Sequence, residues 1–312
     1  MMPADPSLPP ISRRQTIRGL AAAASLPALS AGKALADEGH HIATNTYPWS
    51  TFAKRAGEAF EIHSDVLLAR IASTGITGYE PAINNPAEFT GLRERLDRHG
   101  LEMRSLYVNS LLHEPEAAEK SLTDVMAIAT AAKALGTRII VTNPSPIRWG
   151  GPENKTDAQL RTQAAALDRL GAALRQAGLT LAYHNHDIEL RHGAREFHHM
   201  LTATNPENVK FCLDAHWVYR GCGDSQVALF DTLALHGSRI VELHLRQSAG
   251  GIWTEAFTLD GDIDYARLFA WLKERDLHPH IVLEQAVETG SPQQLDAVAA
   301  HRLSREHLAA AL

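Results

Sequence analysis

The chain has 312 residues, 45% hydrophobic and 21% charged, with 30 Lys and Arg against 36 Asp and Glu for a formal net charge of −6. That length suits one large α/β domain or two small ones. An acidic balance lacks the basic footprint that binding to a phosphate backbone requires, which excludes a nucleic-acid partner.

In chain order, the first signal is a targeting one. Ser12-Arg13-Arg14-Gln15-Thr16-Ile17 is a twin-arginine pattern, a small apolar stretch follows, and Ala34-Leu35-Ala36 is an A-x-A cleavage box. The apolar stretch is too short and too rich in alanine for a membrane span. The expectation is a signal peptide over 1–36, export to the periplasm or beyond, and a mature chain over 37–312 with no membrane insertion. Removing four basic residues and one acidic residue with that segment leaves a net charge of −9.

From there short apolar runs alternate with amphipathic stretches. Strands are predicted over 41–45, 75–80, 103–108, 138–142, 179–184, 209–214, 240–245 and 280–284. Helical spacing of apolar residues is clear over 87–99, 124–135 and 157–177. Gly100, Gly136, Gly178 and Gly237 stand where helices should end before the next strand. Eight strands alternating with helices in one domain predict a (β/α)8 TIM barrel. An open doubly wound sheet is the runner-up, but its glycine-rich phosphate-binding signatures are missing. Cys212 and Cys222 are the only cysteines. Cys212 falls mid-strand and is expected to be a small buried side chain rather than half of a disulfide.

The last four predicted strands each end in a metal-type residue: His184, Asp214, His244 and Glu284, at steps of 30, 30 and 40 residues. One strand-plus-helix unit has about that length, ~30 residues or more. Matching ends of successive parallel strands would therefore gather two imidazoles and two carboxylates around one cation. A carboxylate such as Asp214 at the end of an apolar run is costly to bury without a cation or donors. The mixed donor set suits a divalent ion of intermediate hardness, Mn²⁺, Zn²⁺, Co²⁺ or Fe²⁺, and not an all-oxygen calcium cage. Glu284 is the candidate base and His186 the acid or second base. Candidate substrate-binding residues are Glu80, Asn109, Asn143, Glu189, His216, Trp217 and Arg246, with Asn45 and Trp253 beside them. The loop 248–251, Ser-Ala-Gly-Gly, could cradle a phosphate.

The run Tyr183-His184-Asn185-His186-Asp187 resembles a Y-H-N-H-D block of the xylose-isomerase-like TIM-barrel superfamily, which includes sugar isomerases and epimerases and endonuclease IV. Leu213-Asp214 with Trp217, His244-Leu245 before a basic residue, and Glu284-Gln285 are similar to that group as well. The resemblance implies one metal ligand from each of strands five to eight and a small-molecule sugar substrate whose adjacent oxygens chelate the ion. It also marks a departure. The family's usual first ligand is a glutamate, which in its epimerases is one of two catalytic bases, and here that position is His184.

The function expected is a metal-dependent isomerase or epimerase of a sugar or keto-sugar, working by proton abstraction next to a carbonyl with a metal-stabilised enediolate. The alternatives are a lyase eliminating from a 3-keto-glycoside at the same site, which loss of the second glutamate base would suit, and a non-catalytic carbohydrate-binding barrel. A phosphodiesterase of the endonuclease IV type is opposed by the charge and the export signal.

Overall fold

The computed structural model describes residues 41–312, so the predicted signal peptide lies outside the described residues. The eight barrel strands are β1 (Ile42–Asn45), β2 (Gly78–Glu80), β3 (Ser105–Tyr107), β4 (Ile139–Thr142), β5 (Thr180–His184), β6 (Val209–Asp214), β7 (Ile240–Leu245) and β8 (His280–Leu283). All pair in parallel in the order β2-β1-β8-β7-β6-β5-β4-β3. The seam between β2 and β3 closes through two isolated bridges, Gly78 to Glu102 and Ala82 to Tyr107. The predicted TIM barrel is thus the observed fold, with strand limits trimmed by up to three residues at an end.

Alternation along each strand sets the two faces. Leu181, Tyr183, Phe211, Leu213, Leu243, Leu245, Ile281 and Leu283 join the apolar shell shared with the surrounding helices. The inward face is different. Val141, Ala182 and Cys212 form only a small separate apolar cluster, and around it stand the buried polar groups Glu80, Ser105, His184, Asp214, Glu242 and His244. Filling a barrel interior with ionisable groups instead of branched aliphatics costs desolvation energy, and that points to use.

The helices follow α1 (Thr46–Ala56), α2 (Asp65–Ala72), α3 (Leu92–His99), α4 (Pro115–Lys133), α5 (Asp157–Gln176), α6 (Arg191–Thr202), α7 (Ala215–Gly221), α8 (Gln226–His236), α9 (Tyr265–Lys273) and α10 (Ala297–Ala309). The helix predicted over 87–99 is broken: a 3-10 turn, Pro86–Phe89, precedes Gly91 in the left-handed region at φ +65°, and α3 starts only after it. Gly100, Gly136 and Gly178 follow helices with positive φ, as expected of helix ends. Gly237 does not; it opens a 3-10 turn, and a Cβ there would lie 2.1 Å from the Trp271 ring. Close packing, not chain reversal, explains that glycine. A two-stranded hairpin, Ser248–Ala249 with Ile252–Trp253, follows β7. No helix among the described residues is long and apolar enough to cross a membrane. Cys212 and Cys222 are both free, the first buried.

Candidate metal centre and cavity

Register brings the four strand-ending residues together. His184 on β5 pairs with Cys212, Asp214 on β6 with His244 on β7, and the residue after β8, Glu284, donates its backbone N–H to Leu245 O at 3.0 Å. One donor atom from each of His184, Asp214, His244 and Glu284 lies within 4.8 Å of the others, and all four residues are buried. Asp214 also caps α7: its Oδ1 accepts from Trp217 N at 2.9 Å. Its other oxygen, Oδ2, has no hydrogen-bond partner; His244 Nδ1 and Glu284 Oε2 have only ion-pair contacts, 3.3 Å from each other and, for Oε2, 3.0 Å from Arg246 Nη2. An orphaned buried oxygen on Asp214, beside two imidazoles and a second carboxyl, fits a cation, since it would otherwise carry its full desolvation cost.

Protonation follows the same logic. Burial, with the His244 and His186 rings adding to it, holds His184 well below its usual range, so the ring is neutral with a lone pair to offer. Burial pushes the Asp214 carboxyl up to about 7, against the pull of the Arg246 guanidinium. Burial also opposes charge on Glu284, but Arg246 and His244 outweigh it and hold this carboxyl well below the usual range. Arg246 Nη2 is 3.0 Å from Glu284 Oε2, and its Nε donates to Glu284 O at 3.0 Å. The same guanidinium carbon is 4.2 Å from the Trp253 ring centre, 5.0 Å from that of Trp217 and 5.5 Å from that of Tyr47. A planar cation caged by aromatic faces is held in place without being neutralised.

Above the four residues opens a cavity of about 400 Å³. Its walls include Asn45, Glu80, His184, His186, His244, Arg246 and Glu284, and four aromatic rings, Tyr47, Tyr107, Trp149 and Trp217. Polar groups at the floor with aromatic walls suit a polyhydroxylated ring, whose C–H faces stack while its oxygens reach the floor. The His186 ring packs edge-on to His184 at 4.7 Å and to Trp149 at 5.0 Å. Burial lowers its pKa to about 4, and its Nδ1 has no partner.

The remaining candidates fall into three positions. Arg246, Trp217, Glu80 and Asn45 line the cavity. Asn143, Glu189, His216 and Trp253 stand behind the wall. Asn143 Nδ2 donates to His184 O at 2.9 Å, tying β4 to β5, and Glu189 Oε2 accepts from His186 N at 2.6 Å. His216 is fully buried against Trp217 and Trp253, and Trp253 faces Arg246 rather than the cavity. Asn109, by contrast, is exposed and donates to Asn84 Oδ1 at 3.1 Å, outside the cavity wall. The would-be phosphate cradle after β7 is already filled: Gly250 N and Gly251 N donate to the Asp262 carboxylate at 2.9 and 2.8 Å.

Sequence reasoning missed Tyr47, Tyr107 and Trp149, which no spacing ties to the ligand run, and gave no role to Glu242. Glu242 carried a signal, since an acid in an apolar strand two residues before a candidate ligand shares its face. It lies with Glu80 against the far side of His244, 3.2 Å from Nε2 in each case.

Comparison with known proteins follows the same fold. A family model described as xylose isomerase-like TIM barrel matches residues 68–309. An inosose dehydratase of Clostridium perfringens is 23% identical over 270 residues, covering 77% of this chain and 88% of its own. Among solved structures, a D-allulose 3-epimerase from Methylomonas sp. superposes with a TM-score of 0.66 at 17% identity, covering 88% of this chain and 98% of its own. IolI, solved with a bound zinc atom, does so with a TM-score of 0.64 at 14% identity, covering 87% and 98%.

Proposed function

Since the chain belongs to the xylose isomerase-like TIM-barrel family, we propose that it is a metal-dependent isomerase or epimerase of a sugar or keto-sugar. The observation that carries the reading is that His184, Asp214, His244 and Glu284, all buried, each bring a ligand atom within 4.8 Å of the others beside the cavity, with Asp214 Oδ2 left without a partner. These four residues would hold a divalent ion, Zn²⁺, Mn²⁺, Co²⁺ or Fe²⁺. Bound there, the ion supplies Lewis acidity to a carbonyl oxygen and its neighbouring hydroxyl.

The protein groups do the rest. Glu284, held ionised by Arg246, takes the proton from the carbon next to the carbonyl. Arg246 faces the charge that develops on oxygen, and its aromatic cage keeps water away from it. His186, neutral and with Nδ1 free, is the group in the wall that receives or returns the second proton. Tyr47, Tyr107, Trp149 and Trp217 orient the ring of the substrate.

A second reading, a lyase on the same site, draws on the inosose dehydratase relative and on His184, an imidazole where the related epimerases are expected to carry a second glutamate base. The two separate by incubating metal-loaded protein with ketoses and 3-keto-glycosides in D2O. Deuterium at the α-carbon with the carbon skeleton and substituents intact identifies the isomerase; loss of water or of a glycosyl group identifies the lyase. No reaction of either kind, from a protein with no affinity for these metals, overturns the enzyme reading. We place its action outside the cytoplasm, on the twin-arginine pattern of residues 1–36. An exported form whose N-terminus is Asp37 is the expected product.

A further inference from the structure

We infer that Glu80 and Glu242 are paired positioning residues that hold the Nε2 proton of His244, so that Nδ1 is the nitrogen that gives up its proton to a metal. The inference rests on the metal reading above. His244 Nε2 has two carboxylate acceptors, Glu80 Oε1 and Glu242 Oε1, each at 3.2 Å, while Nδ1 makes no hydrogen bond and lies 3.3 Å from Glu284 Oε2. One face of the imidazole is therefore fully committed to carboxylates and the other is left for a ligand. Which ring nitrogen keeps its proton is set by the bond the other face makes.

The pair is itself held from several strands. Ser105 Oγ on β3 donates to Glu80 Oε2 at 3.0 Å, Asn45 Nδ2 on β1 reaches Glu80 Oε1 at 3.5 Å, and Cys212 Sγ on β6 is 3.8 Å from Glu242 Oε1. The Cys212 sulfur also lies 3.7 Å from His184 Nδ1, so the scaffold backs the second imidazole too. Both carboxylates have no solvent exposure at all. A single neutral acceptor would satisfy one N–H, so two buried carboxylates are more than folding asks for, and apolar residues there would serve stability as well or better.

The test compares the full-length protein with two double variants, using Co²⁺ as the probe. In Glu80→Met/Glu242→Met both acceptors are gone; in Glu80→Gln/Glu242→Gln an amide oxygen still accepts from Nε2. Competition titration reads the Co²⁺ dissociation constant, the cobalt visible spectrum reads ligand geometry, and melting of the chelated protein reads folding. The Met pair should weaken Co²⁺ binding by about 10–100-fold with an altered cobalt spectrum and no loss of metal-free melting temperature. The Gln pair should recover most of the affinity. Should the Met pair bind within threefold of wild type, or the Gln pair lose as much as the Met pair, the positioning role is overturned. If the Met pair fails to fold, the Gln pair decides alone, by keeping or losing the wild-type affinity and spectrum. Absence of Co²⁺ binding in wild type would instead overturn the metal reading and this inference together.

Discussion

Arg246 and Glu284 touch each other but answer to different demands, and substitution separates them. Glu284 offers a buried oxygen to the proposed ligand set and is the base in the proposed reaction. Glu284→Gln should lower both metal content and turnover, measured by elemental analysis beside a steady-state assay. Arg246 reaches the site through a flat guanidinium wedged among Trp253, Trp217 and Tyr47. Lysine keeps the charge and loses the planar stacking and the fork of donors. Arg246→Lys should therefore leave metal content near that of wild type while kcat falls on the order of 100-fold, the usual effect of losing one charge-stabilising donor. Parallel loss of metal in Arg246→Lys would show that the guanidinium holds the ligand geometry rather than the substrate.

At the level of elements, two positions show what helices and strands demand of single residues. Gly171 lies inside α5, where glycine normally costs helix stability. A Cβ there would stand 2.1 Å from Asn208 O, a backbone atom at the start of β6 that cannot swing aside. Gly171→Ala should destabilise by about 1–3 kcal/mol through overpacking, read as a lower urea midpoint with an unchanged slope. Glu189, in the turn between β5 and α6, is the second. Burial, aided by Glu196, pushes its carboxyl up to about 8. An acid raised this way stabilises fully below its unfolded value, ~4.3, and loses that contribution as pH climbs toward 8. Glu189→Gln keeps an acceptor for His186 N, so it should match wild type near pH 4 and melt higher than wild type at pH 8.5. A variant that melts lower at pH 8.5 would mean the ionised carboxylate has a partner and is needed.

The same scale explains what the sequence made legible. Eight apolar runs and the spacing of their terminal residues identify the barrel and the four residues that meet inside it, because strand alternation and repeat length act over a few residues at a time. Gly91 ends one helical pattern early, since apolar spacing alone does not register a left-handed residue. Trp149 and Tyr47 come from loops and helix starts whose path depends on packing across the barrel mouth, so no local pattern announces them. Asn109 shows the converse: it stands two residues past the end of β3, exposed, with its amide on Asn84 and not in the cavity.

For the whole molecule the decisive quantity is charge inside the barrel. Glu80, Asp214, Glu242 and Glu284 are at most 7% exposed, and Arg246 is the one buried guanidinium among them. Arg246 pairs with Glu284 and His244 with Glu80, which leaves the buried Asp214 carboxylate without a counter-charge; a dication supplies one, so metal binding and stability are linked. At free metal of 100 times the dissociation constant the linkage is worth ~2.7 kcal/mol, several degrees in melting temperature for a chain of this size. Its pH dependence has a definite sign. Without metal the Asp214 carboxyl titrates at about 7, against ~3.9 unfolded. The chelated protein therefore loses stability at about 1.4 kcal/mol per pH unit over that window, down to a floor above 7. With metal bound the carboxylate has its counter-charge and that loss disappears. Glu189 titrates in both forms and cancels in the difference. The gap in melting temperature between metal-loaded and chelated protein should thus be wider at pH 8 than at pH 6, as differential scanning calorimetry would read directly. A gap that narrows with rising pH would mean that Asp214 is not a ligand, and that its unpartnered oxygen meets some other group.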